Sequence, residues 1–267
     1  SRIDVIRGRR TFFRLYPEEY GPRLFELLGW EGGRGVKRFE HTAMTEGAPV
    51  LSVRDLHFPA LPPMTFDIRR GEIAFLRDEN YNTGRRLHEC FLGDRGWTSG
   101  FFRLNGRLYQ PGDLGRVIGS EIGIQIERPD RPGGVLFDNM TALDNLCTSL
   151  IPKAGQHIIR KKIVSSILSE ALRWFPKEML LQPLSSWSYP ERLRFSYYRW
   201  YLLNPRLLIC FFPFAGQEST HHKMIIDLLV LCAQRGMAVW IISSGIDAIC
   251  EKTDNEEFLR RLHYLNK

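Results

Sequence analysis

The stretch DENYNTGRRL (78–87) lies between an apolar run, IAFL (73–76), and a helix-like run, LHECFLG (87–93). A strand-to-helix loop of this kind is a common phosphate cradle. Glycines let successive backbone N–H groups point at phosphate oxygens, a lysine neutralises β/γ charge, and a Ser/Thr hydroxyl holds Mg²⁺. Here Gly84 is the only glycine, there is no lysine, and Arg85 and Arg86 follow. Asp78 and Glu79 bring negative charge to the same turn. Two readings of the arginines stand open. They attract an anion at a helix N-terminus, or they are solvated or paired with Asp78 and Glu79. The residues favour the second, and with it a loop without a ligand.

Other candidate chemistry is sparse. His221 and His222 are the only adjacent histidines, and the start of a helix suits them better than a metal site. The five cysteines (Cys90, Cys147, Cys210, Cys232, Cys250) are scattered among apolar neighbours without CxxC spacing. They read as buried thiols of a cytosolic protein, against disulfides or zinc. The net charge of +7 comes from dispersed arginines without a nucleic-acid motif. It suits a surface that meets a membrane-embedded partner or an acidic protein. The longest apolar runs, LLICFFPFA (207–215) and MAVWIISS (237–244), are too short to span a bilayer. The 267 residues, 43% hydrophobic and 25% charged, have ordinary globular composition. They suffice for one large domain, or one with an appendage.

These residues need elements to position them. IDVIRGRRTFFR (3–14) reads as a hairpin, 16–30 as a helix, and the glycine-rich 31–49 as a linker. Strands follow at 50–58 and within 64–76. FFRLNGRLY (101–109) is a hairpin turning on Asn-Gly, and EIGIQIE (121–127) is a further strand. From 138 to 182 the pattern is helical, with Ile159, Ile163, Ile167 and Ala171 on one stripe. PRLLICFFPF (205–214) and AVWIISS (238–244) are buried strands, each followed by a helix, at 222–234 and near 246–252. Buried strands alternating with helices predict a mainly parallel α/β core beside an antiparallel β subdomain.

The order of these pieces resembles an ATP-binding cassette of the ABC family, specifically the second cassette of ribose-type sugar importers. RRGEIAFL (69–76) is similar to the strand before the family's phosphate loop, and FLGDRGWTSGFFRLNGR (91–107) to the stretch after it. PDRPGGVLFDNMTALDNL (129–146) resembles a segment peculiar to sugar-importer cassettes. NPRLLICFFPFAGQE (204–218) and IISSGIDAICEKTD (241–254) resemble the Walker B and switch regions. RIDVIRGRR (2–10) resembles the hairpin that normally ends a cassette, while no such hairpin follows Asp254.

Against the family's GENGAGKST, Asp78 takes the first glycine, and Glu79 and Asn80 keep the next two letters. Tyr81 and Thr83 take the other glycines, Gly84 the lysine place, and Arg85 and Arg86 the two Ser/Thr places. A one-residue slip would put Gly84 and Arg85 in the Gly-Lys places, with Arg86 still blocking the magnesium hydroxyl. Phe211 and Phe212 stand where the family has the magnesium aspartate and the water-polarising glutamate. The LSGGQ signature, which contacts the opposing cassette's γ-phosphate, becomes Trp187-Ser188-Tyr189-Pro190-Glu191. Ser244 stands at the switch-histidine place.

The resemblance implies an α/β, P-loop NTPase-like (RecA-like) ABC cassette over 48–267, with an antiparallel β subdomain and a helical insert. Residues 1–47 are expected to resemble the tail of a preceding cassette. The remnant nucleotide positions are Asn80, Gly84, Arg85, Arg86 and Ser188. The residues lead to the expectation of a degenerate, catalytically silent module, not an enzyme, with no metal and with ATP binding weak or absent. Its role would be non-catalytic binding, regulation or attachment to a transporter. Alternatives are a cytosolic sensor or scaffold, or a functional ATP-binding subunit of a sugar importer. The partners implied are another cassette and a membrane permease, docked between Glu127 and the helices after Asp138, and no nucleic acid. The implied location is cytoplasmic, peripheral at the inner face of the membrane.

Overall fold

The computed structural model describes residues 3–7, 10–15, 47–94, 96–127, 136–154, 161–215 and 219–265. The chain divides into two compact units, Ser1–Arg38 with Asp247–Lys252, and Phe39–Ile246 with Thr253–Lys267. In the first, β1 (Ile3–Arg7) and β2 (Arg10–Leu15) form the antiparallel hairpin that the sequence predicts. The helix expected over 16–30 and most of the linker lie outside the described residues.

The second unit holds two sheets. The antiparallel one contains β3 (Leu51–His57), β4 (Met64–Ile68), β6 (Ser99–Leu104) and β7 (Arg107–Tyr109), in the order β4-β3-β6-β7. Asn105 and Gly106 turn β6 into β7 with φ of 48° and 78°. Two positive φ values in a two-residue turn match the twist of the flanking strands, which is why Asn-Gly works here. The parallel sheet contains β5 (Ile73–Arg77), β8 (Ile122–Ile126), β9 (Leu207–Phe211), β10 (Ala238–Ser243) and β11 (Leu262–Tyr264), in the order β11-β5-β10-β9-β8. Every residue of β9 and β10 is buried, as continuous apolar runs covered on both faces require. Trp240 of β10 meets Phe66 of β4 at 5.1 Å between ring centroids, which ties the sheets into one core.

Helix α1 (Asn82–Leu92) follows β5, and α2 (Pro111–Val117) follows β7. The helical insert comprises α3 (Ala142–Ala154), α4 (Lys161–Ala171), α5 (Lys177–Leu180) and α6 (Tyr189–Leu203). Its core gathers Leu146, Ile167, Ala171, Phe175, Trp187 and Phe195. Three predicted stripe residues serve this core, Ile167 and Ala171 buried and Ile163 partly so; Ile159 lies outside the described residues. Gln125 of β8 joins the insert to the sheet. Its amide oxygen accepts from Trp200 Nε1 at 2.8 Å, and its amide nitrogen donates to Ser196 Oγ at 3.0 Å and Glu127 Oε1 at 2.7 Å. All are buried, so the network satisfies polar groups that would be costly to leave unpaired. Helix α7 (Ser219–Gln234) precedes β10, and α8 (Asp247–Lys252) belongs to the first unit.

The sequence pattern predicts no hairpin after Asp254. The structure has α9 (Glu256–Arg261), capped by the Asn255 side chain accepting from Phe258 N at 2.9 Å, and then β11 parallel to β5.

Candidate functional site

The loop after β5 opens at the carboxyl end of the parallel sheet, beside the ends of β10 and β9. That edge is where parallel α/β sheets bind ligands. Asp78 N donates to Ser243 O at 2.9 Å, and Phe212 N to Ile242 O at 2.8 Å. The start of the loop and the residue after β9 are thus both fixed to the end of β10.

Asp78 is 5% exposed, and its carboxylate turns into the loop. Oδ1 accepts from Thr83 N at 3.2 Å and Oδ2 from Gly84 N at 2.7 Å. Tyr81 starts α1 in the left-handed region, φ 57°, without a side-chain cap of its own. Phe212 is also left-handed, φ 52°, which is costly for a bulky residue and concentrates at special sites. Its ring lies so close to Gly84 that a Cβ there would come within 2.7 Å of Phe212 Cζ. The same Cβ would meet Asp78 Oδ2 at 3.2 Å and Ile242 Cγ2 at 3.3 Å. Tyr81 then packs on Phe212, ring centroids 4.6 Å apart. An open recess of about 280 Å³ adjoins the loop, lined by Leu61, Arg77, Asp78, Asn80 and Thr83 among others.

Four of the five remnant positions come together here. Asn80 and Arg85 are exposed, Gly84 is buried, and Arg86 is half-buried. Arg86 pairs with Glu89 one turn along α1, at 3.2 Å, while Glu79 is met by Arg77 at 3.8 Å. Exposed Arg85 fits the solvated reading, whereas a pairing of Arg86 with Asp78 or Glu79 is corrected to one with Glu89. Asp78 is taken by backbone N–H groups, and the helical i,i+3 spacing brings Glu89 to Arg86. Ser188 stands on a different element, as the N-cap of α6. There Glu191 Oε2 accepts from both Ser188 N and Ser188 Oγ, each at 2.7 Å. Pro190 sits in the first turn, where its missing N–H costs nothing.

Phe211 is buried in the core, and its ring meets His88 at 5.7 Å. Ser244 is exposed beyond β10. His221 and His222 lie in the first turn of α7, against the rings of Tyr189 and Phe214. Among the described residues no group of three His, Cys, Asp or Glu side chains is placed to hold a metal ion. The docking cleft expected after Glu127 falls largely on residues outside the described ones. Among the described residues no helix is long and apolar enough to cross a membrane.

The residues do not fit Mg²⁺-ATP held in the manner of a phosphate loop. A carboxylate fills the cradle, the lysine place is a glycine covered by an aromatic ring, and the two Walker B places are phenylalanines. Residue types at these places are visible in the sequence, and their contacts are not: Asp78 as a ligand of its own loop, the Gly84–Phe212 contact and the Tyr81 packing appear only in the structure. An Asp ahead of a helix start whose own N-cap residue is a Tyr is the signal that was available.

No protein-family model matches the chain. In sequence it is 26% identical over 233 residues to a putative ribose/galactose/methyl galactoside import ATP-binding protein of Pseudomonas syringae pv. tomato, covering 85% of this chain and 44% of that one. It is 24% identical over 283 residues to the fructose import ATP-binding protein FruK of Bifidobacterium longum, covering 98% and 53%. The chain thus spans about half the length of the curated relatives it matches. In structure it is similar to cbiO1 of Clostridium perfringens, part of the ABC transporter complex cbiONQ, with TM-score 0.62, 19% identity and 82% and 85% of the two chains covered. The dimeric structure of the bacterial ABC transporter cassette MJ0796 gives TM-score 0.58, 17% identity and coverage of 80% and 94%. The fold is that of ABC-type cassettes, and the sequence relatives are named as ATP-binding proteins of sugar import.

These relatives correct the expectation that the chain is not an enzyme. They are ATP-binding proteins of a class of ATPases, and a reading of catalytic silence conflicts with them. Catalytic silence rests on residue types alone, at places such as 78, 84, 211 and 212, whereas the similarity to ATP-binding proteins covers 85% of the chain.

Proposed function

We propose that the chain is the weaker-binding member of a cassette pair in a sugar-import-type ABC assembly. A second cassette and a membrane permease would be its partners, at the inner face of the membrane. ATP hydrolysis belongs to the assembly as its expected activity, and this chain's own loop binds nucleotide weakly. Arg85, exposed at the start of α1, supplies residual attraction for phosphate, while Asn80, Gly84, Arg86 and Ser188 mark the remnant of the nucleotide position.

The observation that carries this reading is the Asp78 carboxylate lodged on the Thr83 and Gly84 N–H groups within a cassette fold. A negative charge already in the cradle opposes a second one. Titration calorimetry of the chain with Mg²⁺-ATP tests it. A shallow, salt-sensitive isotherm with Kd of about 1 mM, a binding free energy of about 4 kcal/mol, is expected. Micromolar, Mg²⁺-dependent binding would contradict weak affinity, and no binding at several millimolar would remove the nucleotide role.

A further inference from the structure

We infer that the Asp78 carboxylate is a built-in ligand of the phosphate position in its own loop, which any incoming phosphate must displace. The inference rests on the cassette reading above, which supplies the ligand class, a nucleoside polyphosphate.

The first N–H groups of a helix have no partner within the helix, and they are the donors that such a helix offers an anion. In α1 the residue at the N-cap, Tyr81, leaves them unserved. Thr83 N and Gly84 N are instead taken by the two oxygens of one side chain five and six residues upstream. A carboxylate resembles one edge of a phosphate, with two oxygens sharing a negative charge, and accepts such bonds strongly. Its backbone is anchored to β10 at Ser243 O, so a core strand delivers it into the loop.

The surrounding contacts hold it there. Phe212 closes on Gly84, Asp78 Oδ2 lies close to the same glycine, and Tyr81 packs on Phe212. The adjoining recess, lined by Asp78, Asn80 and Thr83, leaves room for a polyphosphate beside the loop once the carboxylate turns away. This makes the contact autoinhibitory. The loop donors are formed and occupied at once, and affinity is set by how readily Asp78 leaves.

A capping role alone predicts that removing the carboxylate lowers stability and leaves anion affinity unchanged. An internal ligand predicts lower stability and higher anion affinity together. The test is calorimetric titration of the full chain with pyrophosphate and with Mg²⁺-ATP, alongside Asp78→Gly, Asp78→Asn and, as control, Asp144→Asn at the start of α3, where Asp144 bonds Thr141. Asp78→Gly should bind both at least tenfold more tightly than the parent. Asp78→Asn, which keeps the shape and one acceptor without the charge, should fall between. Asp144→Asn should match the parent. Thermal melts establish which variants fold, and Asp78→Asn carries the comparison if Asp78→Gly does not. Equal affinity in the parent and the folded Asp78 variants overturns the internal ligand, and if that affinity is tight the nucleotide reading stands. A gain for pyrophosphate without one for ATP supports the internal ligand and overturns the nucleotide reading. Absence of binding in every variant overturns both.

Discussion

Two helix starts in this chain have the same contents and different settings. At α1, Asp78 reaches the N–H groups of Thr83 and Gly84 from a buried position at the end of β5. At α6, Glu191 folds back on Ser188 in a capping box at the surface of the helical insert. The two starts stand at the phosphate-loop and signature places of the sequence resemblance, and here each holds a carboxylate of its own. Burial separates them. Water screens Glu191 and competes for its bonds, whereas Asp78 sits in lower dielectric where charge and backbone donors act more strongly. A capping box of the Glu191 kind is a common way to start a helix and needs no further explanation. Asp78 is a residue outside its helix doing the work of the helix's own N-cap, and that difference separates a structural cap from a competitor for ligand.

The largest expected effect probes the packing around the buried start. Gly84→Lys restores the residue type of the family but drives a side chain into Phe212. It should cost about 2–3 kcal/mol in urea unfolding, the usual scale for overpacking. Phe212→Ala should return a large part of that loss, leaving a coupling of about 1–2 kcal/mol in the double-mutant cycle. Additive single effects would break the claim that the missing lysine and the missing glutamate form one steric unit.

Next in size is Asp78→Ala. Losing a cap of this type costs about 1–2 kcal/mol, read as a drop in Tm of about 2–8 °C for a domain of this length. Affinity for pyrophosphate should rise in the same variant. An unchanged Tm would mean that the carboxylate holds nothing.

The comparison is sharpened by the smaller effect at α6. Glu191→Gln keeps a side chain able to close the box and should cost about 0.5 kcal/mol or less, with anion affinity unmoved. A loss as large as that of Asp78→Ala would erase the distinction between the two starts.

A surface pair away from both gives a smaller, pH-dependent signal. Burial pushes the Asp67 carboxyl up, and its hydrogen bonds to Arg54 and Ser52 outweigh this and hold it below its ordinary value of 3.8. A depressed folded-state value stabilises the fold above pH 3.8, and the contribution is lost as pH falls through the lowered value. Arg54→Met should therefore lower stability slightly at neutral pH in urea unfolding and leave it nearly unchanged below the lowered value, which flattens the acid limb.

The scaffold was legible because its signals are local and repeated. Asn105-Gly106 between alternating strands fixes a hairpin, and LLICF and AVWIIS are too apolar for anything but central strands. β11 was not legible. Three residues, Leu262–Tyr264, carry no periodicity, and the strand exists because β5 offers a parallel edge. At the site, the identities at 78, 84, 211 and 212 were legible as departures from a phosphate loop. What they do was not. The left-handed backbone of Phe212 and the turn of the Asp78 carboxylate onto Gly84 N depend on tertiary contacts with β10. The partner of Arg86 was misjudged for a related reason: Asp78 was already engaged by the backbone, leaving Glu89 on the same helix.

The most direct measurement of the central claim follows the backbone amides of Thr83 and Gly84 by NMR while ATP is added to the full chain. With Asp78 holding those N–H groups, their resonances should stay nearly unmoved at about 0.1 mM ATP in the parent and be about half-shifted there in Asp78→Gly, where affinity is at least tenfold higher. Saturating shifts of both amides in the parent at micromolar ATP would show phosphate already in the cradle and would contradict the account.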